Sequence, residues 1–290
     1  MNQIEEVLQL RYFGGINFSD ERERQVFSSY IRGFMLLILD PAVKNILEIG
    51  GGQSTTLLAA LGARLRWNII TIDMNPDAIA LKIRSQSVSD KTLENIHFRK
   101  GVSIGVSEII SFYARDTLNI GGVPFGEVIK AAATFIDTSK DARKAPRVKN
   151  ALGLDEFNAG SVVNSLLTSN RLPQELLDVF KTPGDEFEFY ADGSEPLQGC
   201  MQGIMESETI DAVFLDSGEF SSLAEWEIVQ ERLRPGGFVV LHDIFFPKSF
   251  KNWLVCGSIM VNPAYETLYI DRSTPQGLMV AQKKNSPGLQ

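Results

Sequence analysis

The sequence predicts an α/β fold, in which helices cover both faces of a doubly wound, mostly parallel sheet. Three observations support this fold class. Short apolar runs alternate with segments of helical periodicity along most of the chain. The hydrophobicity of these runs is continuous, as strands buried on both faces require, and each run ends at a glycine or an acid. Two further strand-like runs near the end of the chain, joined by a turn-rich linker, add an antiparallel hairpin.

The first predicted element is a helix over 20–39, within an N-terminal helical segment that covers 1–44. Apolar side chains from Val26 to Ile38 recur at helical spacing, which gives this helix one buried face. Asp20 is its predicted N-cap.

Four strands and two crossover helices follow in alternation. The strands are predicted at 45–50, 68–73, 210–216 and 237–243, the helices at 55–61 and 222–233, and the closing hairpin at 266–270 and 278–282. Within the first and the last pair of parallel strands, the separation is close to the roughly 30 residues of one βαβ unit. These pairs are therefore expected to be adjacent in the sheet.

A largely helical insertion is predicted between the two pairs of strands. The chain from Asp73 to Asp216 is about 80 residues longer than two βαβ units of about 30 residues need. The bulk of the insertion should lie over 112–183, with helices at 161–167 and 174–181.

Two segments fit the position of the third strand. One is 96–101, at the expected distance after Asp73, and the other is 187–193, at the expected distance before the next strand. We favour 187–193, because only this segment ends in an acid, Asp192, that is followed by glycine and serine. The helix after it would cover 195–205.

Composition and charge limit the classes of function. The formal charge of −8 over 290 residues disfavours the broad basic surface of a nucleic-acid-binding protein. The basic cluster within 140–149 is expected to be a solvated helix face, with an anionic substrate or an acidic carrier protein as its alternative ligand. Two cysteines are too few for a disulfide framework, and no secretory pattern or run of roughly 18 apolar residues is present. A cytoplasmic protein with a single domain over 1–290, without membrane or nucleic-acid partners, is expected.

The strongest single feature is a glycine-rich loop between the first strand and its helix. Its sequence, Glu48-Ile49-Gly50-Gly51-Gly52-Gln53-Ser54-Thr55, lets a ligand approach the backbone at a helix N-terminus. Asp73, at the end of the next strand, is placed to accept hydrogen bonds from a ribose diol. A dinucleotide is one candidate ligand, but its fingerprint needs glycine where Thr55 stands. Glu48 suits a ligand with a cationic amino group, which it would bind directly or by ordering the loop.

Together with the later strand ends, this loop resembles that of the class I S-adenosylmethionine-dependent methyltransferases. The matching motifs are Glu48-Ile49-Gly50-x-Gly52-x-Ser54, Asp73, Phe214-Leu215-Asp216, Leu233-Arg234-Pro235-Gly236-Gly237 and the closing hairpin. The resemblance covers about 45–73 and 187–282. It implies a Rossmann-like fold, S-adenosylmethionine as cofactor and methyl transfer as the reaction.

The cofactor contacts that the resemblance implies come from four strand ends. The loop after the first strand would line the methionine part, and the acid after the second would hold the ribose. The acid after the third would approach the adenine amino group, and the fourth strand end would border the cofactor. In that order the residues are Glu48, Gly50, Gly51, Gly52 and Ser54, then Asp73, Asp192 and Asp216.

The fourth and fifth strands resemble those of metal-dependent O-methyltransferases, both the catechol type and enzymes that tailor antibiotics or sugars. Asp216, His242 and Asp243 would converge and hold Mg²⁺ or another divalent ion, which would orient an acceptor's oxygens and lower the pKa of its hydroxyl. Imidazole is a poor Mg²⁺ ligand, so His242 either favours a softer ion or acts as general base on the acceptor hydroxyl. Both alternatives stay open here. Where the catechol pattern has a lysine base, this chain has Glu219, which is expected to be a solvated loop residue.

The expected activity is O-methylation of a small hydroxylated molecule of secondary metabolism, free or bound to a carrier. The insertion over 112–183 would form the lid or acceptor pocket. Two alternatives come from other classes: an NAD-dependent oxidoreductase, and a methyltransferase-like protein that binds the cofactor without transferring methyl. His97 has no strand-end setting of this kind and is expected to be structural.

Overall fold

A computed structural model of the chain describes residues 21–86, 90–115, 117–136, 191–192, 195–196, 198–207, 209–246 and 249–285. The strands are β1 (Asn45–Ile49), β2 (Asn68–Asp73), β3 (Ile96–Lys100), β4 (Asn119–Ile120), β5 (Val123–Pro124), β6 (Ala191–Asp192), β7 (Glu195–Pro196), β8 (Ile210–Leu215), β9 (Leu233–His242), β10 (Tyr265–Asp271) and β11 (Leu278–Lys283). The helices are α1 (Glu21–Leu39), α2 (Gln53–Leu65), α3 (Pro76–Ser85), α4 (Asp90–Leu93), α5 (Val106–Tyr113), α6 (Phe125–Ala132) with a 3₁₀ turn after it (Ala133–Phe135), α7 (Met201–Ser207), α8 (Ser222–Arg232) and α9 (Trp253–Val261).

The central sheet has the strand order β10-β11-β9-β8-β1-β2-β3. The five strands from β9 to β3 run parallel, and β11 is inserted antiparallel between β9 and β10. The predicted Rossmann-like, mostly parallel sheet with a closing antiparallel hairpin is confirmed. The order of strands reverses between β1 and β8, and open α/β sheets bind ligands at the carboxyl ends of the strands beside such a reversal.

Both faces of the sheet are buried, which explains the continuous hydrophobicity of its strands. Along β1, Leu47 and Ile49 pack into a core with α5, α6, α8 and α9. Ile46 packs into a second core on the opposite face, with α1, α2 and α3. Among the described helices, none combines the length and the apolar character needed to cross a membrane.

The first predicted helix is confirmed as α1, which lies against the sheet near its carboxyl edge. Tyr30 and Phe34 are buried on its inner face. Their rings lie 5.6 and 5.8 Å from the ring of Phe214 on β8, measured between centroids. Tyr30 is thereby brought close to the end of β8.

The third strand is β3, so the preference for 187–193 is wrong. β3 pairs in parallel with β2 along its whole length. Within 187–193, residues 191–192 are described, and they form β6 in a two-stranded hairpin outside the central sheet. β3 is an edge strand, and apart from Ile96 and Phe98 its side chains are exposed. The preference relied on a strand end with an acid followed by glycine and serine, whereas β3 ends at Lys100 and is followed by Gly101, without an acid.

The predicted insertion is described as far as residue 136. This part holds the end of α5, the β4–β5 hairpin and α6, and α6 shares a core with α9. The predicted helices at 161–167 and 174–181 lie outside the described residues. The helix predicted at 195–205 is α7, and it begins only at Met201.

Candidate active site

Three parallel strands end in register at the carboxyl edge of the sheet. Leu215 of β8 is opposite Ile49 of β1 and opposite Leu241 of β9. The next residues along these strands are therefore neighbours at the reversal of strand order, and they are Gly50, Asp216 and His242.

The glycine loop after β1 is closed against β8 at one end and open at the other. Gly50 has a φ of +84°, and a Cβ on it would lie 2.2 Å from the carbonyl oxygen of Asp216, so only glycine fits. A Cβ on Gly51 would lie 2.4 Å from Cδ1 of Ile79. A Cβ on Gly52 would have no described atom within 4 Å. Gly52 therefore borders open space at the N-terminus of α2, the end of a helix that favours anionic and polar ligands.

Glu48 orders this loop from beneath. Its Oε1 accepts a hydrogen bond from the Ser54 hydroxyl at 2.6 Å, and its Oε2 accepts from the hydroxyls of Thr55 and Thr71 at 2.9 and 2.8 Å. Burial raises the pKa of Glu48 to about 7, although the three hydroxyl donors act in the opposite direction. Glu48 is 0% exposed and Ser54 is 1% exposed. The geometry therefore supports the loop-ordering role of Glu48, and both side chains face the loop from its buried side.

Asp73 connects the glycine loop to the ends of β2 and β3. Its Oδ2 accepts from the N–H of Gly51 at 3.0 Å and its Oδ1 from the N–H of Asn75 at 2.7 Å. Burial raises the pKa of Asp73, and these two N–H donors lower it. The N–H of Gly101, just after β3, donates to the backbone oxygen of Asp73 at 3.0 Å. Gly101 has a φ of +144°, and a Cβ on it would have no described neighbour within 4 Å.

Gly101 thus occupies the strand end that was predicted for Asp192. Asp192 belongs to β6, outside the central sheet. Since it does not end the third strand, the reason for placing it beside an adenine is lost.

Asp216 and His242 form a hydrogen-bonded pair. Nδ1 of His242 is 3.2 Å from Oδ2 of Asp216, and His242 is 7% exposed. Because Nδ1 faces a carboxylate, Nδ1 carries the proton, and Nε2 of the neutral ring is the basic nitrogen. Tyr30, which sequence reasoning did not place in the site, covers the pair. Its ring centroid is 4.9 Å from that of the imidazole, and its hydroxyl donates to Oδ2 of Asp216 at 3.5 Å.

Asp243 completes the predicted acidic cluster. It turns the chain after β9 with a φ of +58°, and its Oδ2 is 3.7 Å from Nδ1 of His242. One possible ligand atom from each of Asp216, His242 and Asp243 lies within 4.8 Å of the others. The three residues converge as the sequence predicted.

A lysine that the sequence analysis missed lies at the centre of this cluster. Nζ of Lys251 is 2.9 Å from Oδ1 of Asp216 and 3.3 Å from Oδ2 of Asp243. The lysine side chain is only 13% exposed. Lys251 stands in a segment without periodicity, and the only available signal is the presence of two lysines, Lys248 and Lys251, in the segment that follows an acidic strand end.

Glu219 anchors the segment that carries Lys251. Its Oε2 accepts from the hydroxyl of Ser249 at 3.0 Å and from the N–H groups of Phe250 and Lys251 at 2.7 and 3.3 Å. Glu219 is 5% exposed, so the expectation of a solvated loop residue is wrong. The groups that bury it come from a segment 30 residues further along the chain, which the local sequence does not reveal.

Asn252 fixes the same segment to two strand ends. Its Nδ2 donates to the carbonyl oxygens of Leu215 and His242 at 2.8 and 2.6 Å, and its side chain is fully buried. Because Asn252 follows Lys251 directly, the lysine backbone is held relative to β8 and β9.

The pKa values in the cluster show how its charges stabilise one another. Burial alone would raise the pKa of Asp216, but Lys251 and His242 hold it well below its usual range. Burial lowers the pKa of His242, but the carboxylates of Asp216 and Asp243 outweigh this effect and raise it above its usual value. The pKa of Lys251 is also raised by its carboxylate neighbours against the effect of burial. Its carboxylate neighbours therefore favour the ammonium form of Lys251, which has no lone pair with which to act as a base.

As they are arranged, the predicted metal ligands do not fit a divalent ion. Such an ion needs carboxylate oxygens at about 2.0–2.6 Å, with the remaining positions open to water or substrate. Here both carboxylates face the ammonium of Lys251, and Nδ1 of His242 faces Asp216. An ion at these oxygens would lie beside a like charge in a mostly buried site. The chemistry that this arrangement supports is proton transfer at His242.

Comparisons with known proteins add a likeness of fold. No protein-family model matches the chain, and no curated protein matches it. An O-methyltransferase from Bacillus cereus, crystallised in complex with SAH, is 14% identical over 97% of this chain and 90% of that chain, with a TM-score of 0.42. The O-methyltransferase TomG from Streptomyces achromogenes, in complex with SAM, is 12% identical over 98% and 91%, with a TM-score of 0.41. An rRNA methylase from Streptococcus thermophilus is 12% identical over 87% and 92%, with a TM-score of 0.35. Identities and TM-scores this low express no more than a distant similarity of fold.

Proposed function

We propose that this chain is an S-adenosylmethionine-dependent O-methyltransferase that acts on a hydroxyl group of a small molecule. The observation that carries the proposal is the Asp216–His242 pair. It is a buried, oriented base at the end of two parallel strands, and the open glycine loop ends in register beside it. A cofactor on the loop and an acceptor at His242 would therefore lie next to each other.

The cofactor is assigned to the carboxyl ends of β1, β2 and β3. Gly52 borders open space at the N-terminus of α2, which suits the methionine part. Each oxygen of Asp73 accepts one backbone N–H and keeps a lone pair for a ribose hydroxyl. The open position at Gly101 suits the adenine, in place of the contact once expected from Asp192.

The chain's own residues supply deprotonation and positioning. S-adenosylmethionine, when bound, provides a methyl group on a sulfonium with a good leaving group. Nε2 of His242 accepts the proton of the acceptor hydroxyl, and Asp216 stabilises the resulting imidazolium through Nδ1–H. Because Asp216 and Tyr30 fix the imidazole plane beforehand, the base is in place when the acceptor arrives.

The acceptor pocket is assigned to the insertion over 112–183. Its described part ends at Ile136, which forms a parallel bridge with Phe246 shortly after Asp243. The described part of the insertion therefore reaches the end of β9. Within this pocket we propose a hydroxylated natural product as acceptor, free or attached to a carrier.

A binding titration with S-adenosylmethionine and NADH tests the assignment of the cofactor. S-adenosylmethionine and S-adenosylhomocysteine should bind and NADH should not. Addition of a panel of hydroxylated acceptors should then yield S-adenosylhomocysteine. Preferential binding of NADH would point to an oxidoreductase, and cofactor binding without turnover across the panel would point to a protein that does not transfer methyl.

A matched pair of glycine variants locates the cofactor. Gly52→Val places a side chain in the open space at α2, and we expect S-adenosylmethionine affinity to fall by about 10- to 100-fold. Gly203→Val is the control, because Gly203 also has no neighbour within 4 Å of its Cβ but lies exposed on α7. Equal affinities for the two variants would place the cofactor elsewhere.

A further inference from the structure

We propose that the ammonium of Lys251 permanently holds the cation position among Asp216, His242 and Asp243, so that this site works without a divalent metal ion. The evidence that Lys251 occupies this position comes only from the contacts within the cluster. Its consequence for the acceptor rests on the proposed function.

The distances define the position of this cation. Nζ of Lys251 contacts one oxygen of Asp216 at 2.9 Å and one of Asp243 at 3.3 Å. These are the two carboxylates that a metal would need first, because hard cations take oxygen ligands. The other oxygen of Asp216 is bound to Nδ1 of His242. Both acids thus already have a cationic partner.

Hydrogen bonds hold the chain in position on both sides of Lys251. Glu219 accepts hydrogen bonds from the N–H groups of Phe250 and Lys251. Asn252, the residue after Lys251, donates hydrogen bonds to the ends of β8 and β9. Glu219, Phe250 and Asn252 are buried. A lysine side chain on a segment held in this way remains near the carboxylates, whereas a lysine on a solvated loop would be free to withdraw.

The charge of the cluster also explains why a lysine is tolerated in a buried place. Burying an ammonium is costly unless it is paired and hydrogen-bonded. Here two carboxylates contact it directly, and the carboxylate of Glu219 lies close enough to add to its stabilisation. Adding a divalent ion would place two more positive charges next to the ammonium, so that an ion enters only if the lysine leaves.

The lysine would take over one task of a metal in the reaction. An ammonium has three donors. Among the described residues, one of them is hydrogen-bonded to Oδ1 of Asp216, and Oδ2 of Asp243 lies 3.3 Å away as an ion-pair partner. A remaining donor would serve the oxygen of the acceptor. A hydrogen bond from it would stabilise the negative charge that forms as His242 removes the proton. The proton goes to Nε2, the new bond joins acceptor oxygen and methyl carbon, and the sulfur keeps the electron pair of the bond that breaks.

Manganese binding to the full-length protein tests the occupancy without reference to activity. Mn²⁺ is added to the wild-type chain and to Lys251→Met, which keeps the length and packing of the side chain, and bound ion is measured by electron paramagnetic resonance. We expect no saturable binding by the wild type. Lys251→Met should bind Mn²⁺ with an affinity at least about tenfold above the detection limit reached with the wild type, because a like charge has been removed from the cluster. The double variant Lys251→Met/Asp243→Ala should lose the gain.

Three outcomes decide the question. Saturable Mn²⁺ binding by the wild type that Asp243→Ala abolishes would overturn the proposal, since the lysine would then yield to a metal. Lys251→Met without any gain in Mn²⁺ binding, in a protein with the wild-type circular dichroism spectrum, would also overturn it, because something other than the lysine would exclude the ion. Lys251→Arg, which keeps the charge, should bind no more Mn²⁺ than the wild type if the proposal holds. Calorimetry with S-adenosylmethionine is run on each variant, so that a failure of cofactor binding counts against the proposed function only.

Discussion

Glu48, near the end of β1, is fully buried, and Asp216, at the end of β8, is mostly buried, and the two acids behave in opposite ways. Glu48 is surrounded by hydroxyl groups, and burial raises its pKa to about 7. Asp216 lies between an ammonium and an imidazole, which lower its pKa. Burial is common to both acids, so the difference comes from their partners.

This difference corresponds to two roles. Glu48 supports the glycine loop, and Asp216 belongs to the cluster that we propose as the catalytic centre. Glu48 can exist as a neutral acid because burial raises its pKa and no cation among the described residues is bound to it. Its hydrogen bonds with three hydroxyl groups hold the shape of the loop. Asp216 is held in its ionised form by its contacts with His242 and Lys251, and in the proposed reaction it would orient His242 as the base. The carboxyl edge of the sheet therefore combines an acid that can be protonated, Glu48, with a cluster of paired charges around Asp216.

The largest expected effect is at the base itself. His242→Ala should lower the rate of methyl transfer by about 10²–10⁴, the usual contribution of a general base, while S-adenosylmethionine binding is retained. Single-turnover kinetics and calorimetry on the same protein measure the two quantities. His97→Ala is the control, because His97 is exposed on β3 and far from the cluster in the sheet order. A rate near the wild-type value for His242→Ala would remove the base from this proposal.

The dependence of the rate on pH should follow the ionisation of His242. Its pKa is raised by Asp216 and Asp243, so the imidazole is protonated and inactive as a base below a pH that lies above its usual value of 6.5. The rate should rise about tenfold per pH unit in that range and level off above it. A profile of kcat against pH checks this expectation, and a rate that is constant from pH 5 to pH 8 would contradict it.

At the glycine loop, Glu48 should make the stability of the protein depend on pH. Its pKa is raised from 4.5 to about 7 on folding, so the folded state binds more protons than the unfolded state between these values. The contribution of Glu48 to the free energy of unfolding should therefore fall by about 3 kcal/mol as the pH rises through that window, and Glu48→Gln should show a correspondingly smaller fall than the wild type. Urea unfolding at pH 5 and pH 8 measures it. Glu127→Gln, at a mostly exposed acid on α6, should keep the wild-type dependence.

The anchor of the Lys251 segment should have a smaller effect on stability. Asn252→Ala leaves the buried carbonyl groups of Leu215 and His242 without their donor, which should cost about 1–3 kcal/mol. Chemical denaturation quantifies the loss, with Asn119→Ala at an exposed position of β4 as control. Equal stabilities of the two variants would show that water replaces the amide.

The smallest effect is expected for the hydroxyl of Tyr30. Tyr30→Phe keeps the ring that packs on His242 and loses one long hydrogen bond to Asp216, so stability should change by about 0.5 kcal/mol or less. The rate should stay near that of the wild type. If Tyr30→Phe instead lost as much activity as His242→Ala, the tyrosine hydroxyl would belong to the reactive centre.

The sequence predicted most of the sheet because its inner strands carry a signal that burial imposes. The strands that end at Gly50, Asp216 and His242 are continuous apolar runs, and their register alone brings these residues together. The edge strand β3 has only a weak signal of this kind, and its position was assigned to 187–193 because that segment, unlike 96–101, ends in an acid followed by glycine and serine. A pattern based on burial finds interior strands more readily than edges.

Long-range contacts explain the errors within the site. Glu219 was expected to be solvated, since nothing near it in the sequence shows the N–H groups that come to it from Phe250 and Lys251. Lys251 was missed for the same reason, because its importance depends on where the segment before α9 folds back. A motif-based search located the acids of the cluster, and only the three-dimensional structure locates the cation that pairs with them.

The antiparallel insertion of β11 has a consequence for how the protein is made on the ribosome. Leu278, the first residue of β11, pairs with His242 on β9, so the strand that carries the base gains its second neighbour only from residues 278–283. Until these residues emerge, β9 is an uncovered edge strand, and such edges invite pairing with other chains. The pairing of His242 with β11 is therefore completed late in synthesis, and a nascent chain that stalls before β11 should be prone to aggregate.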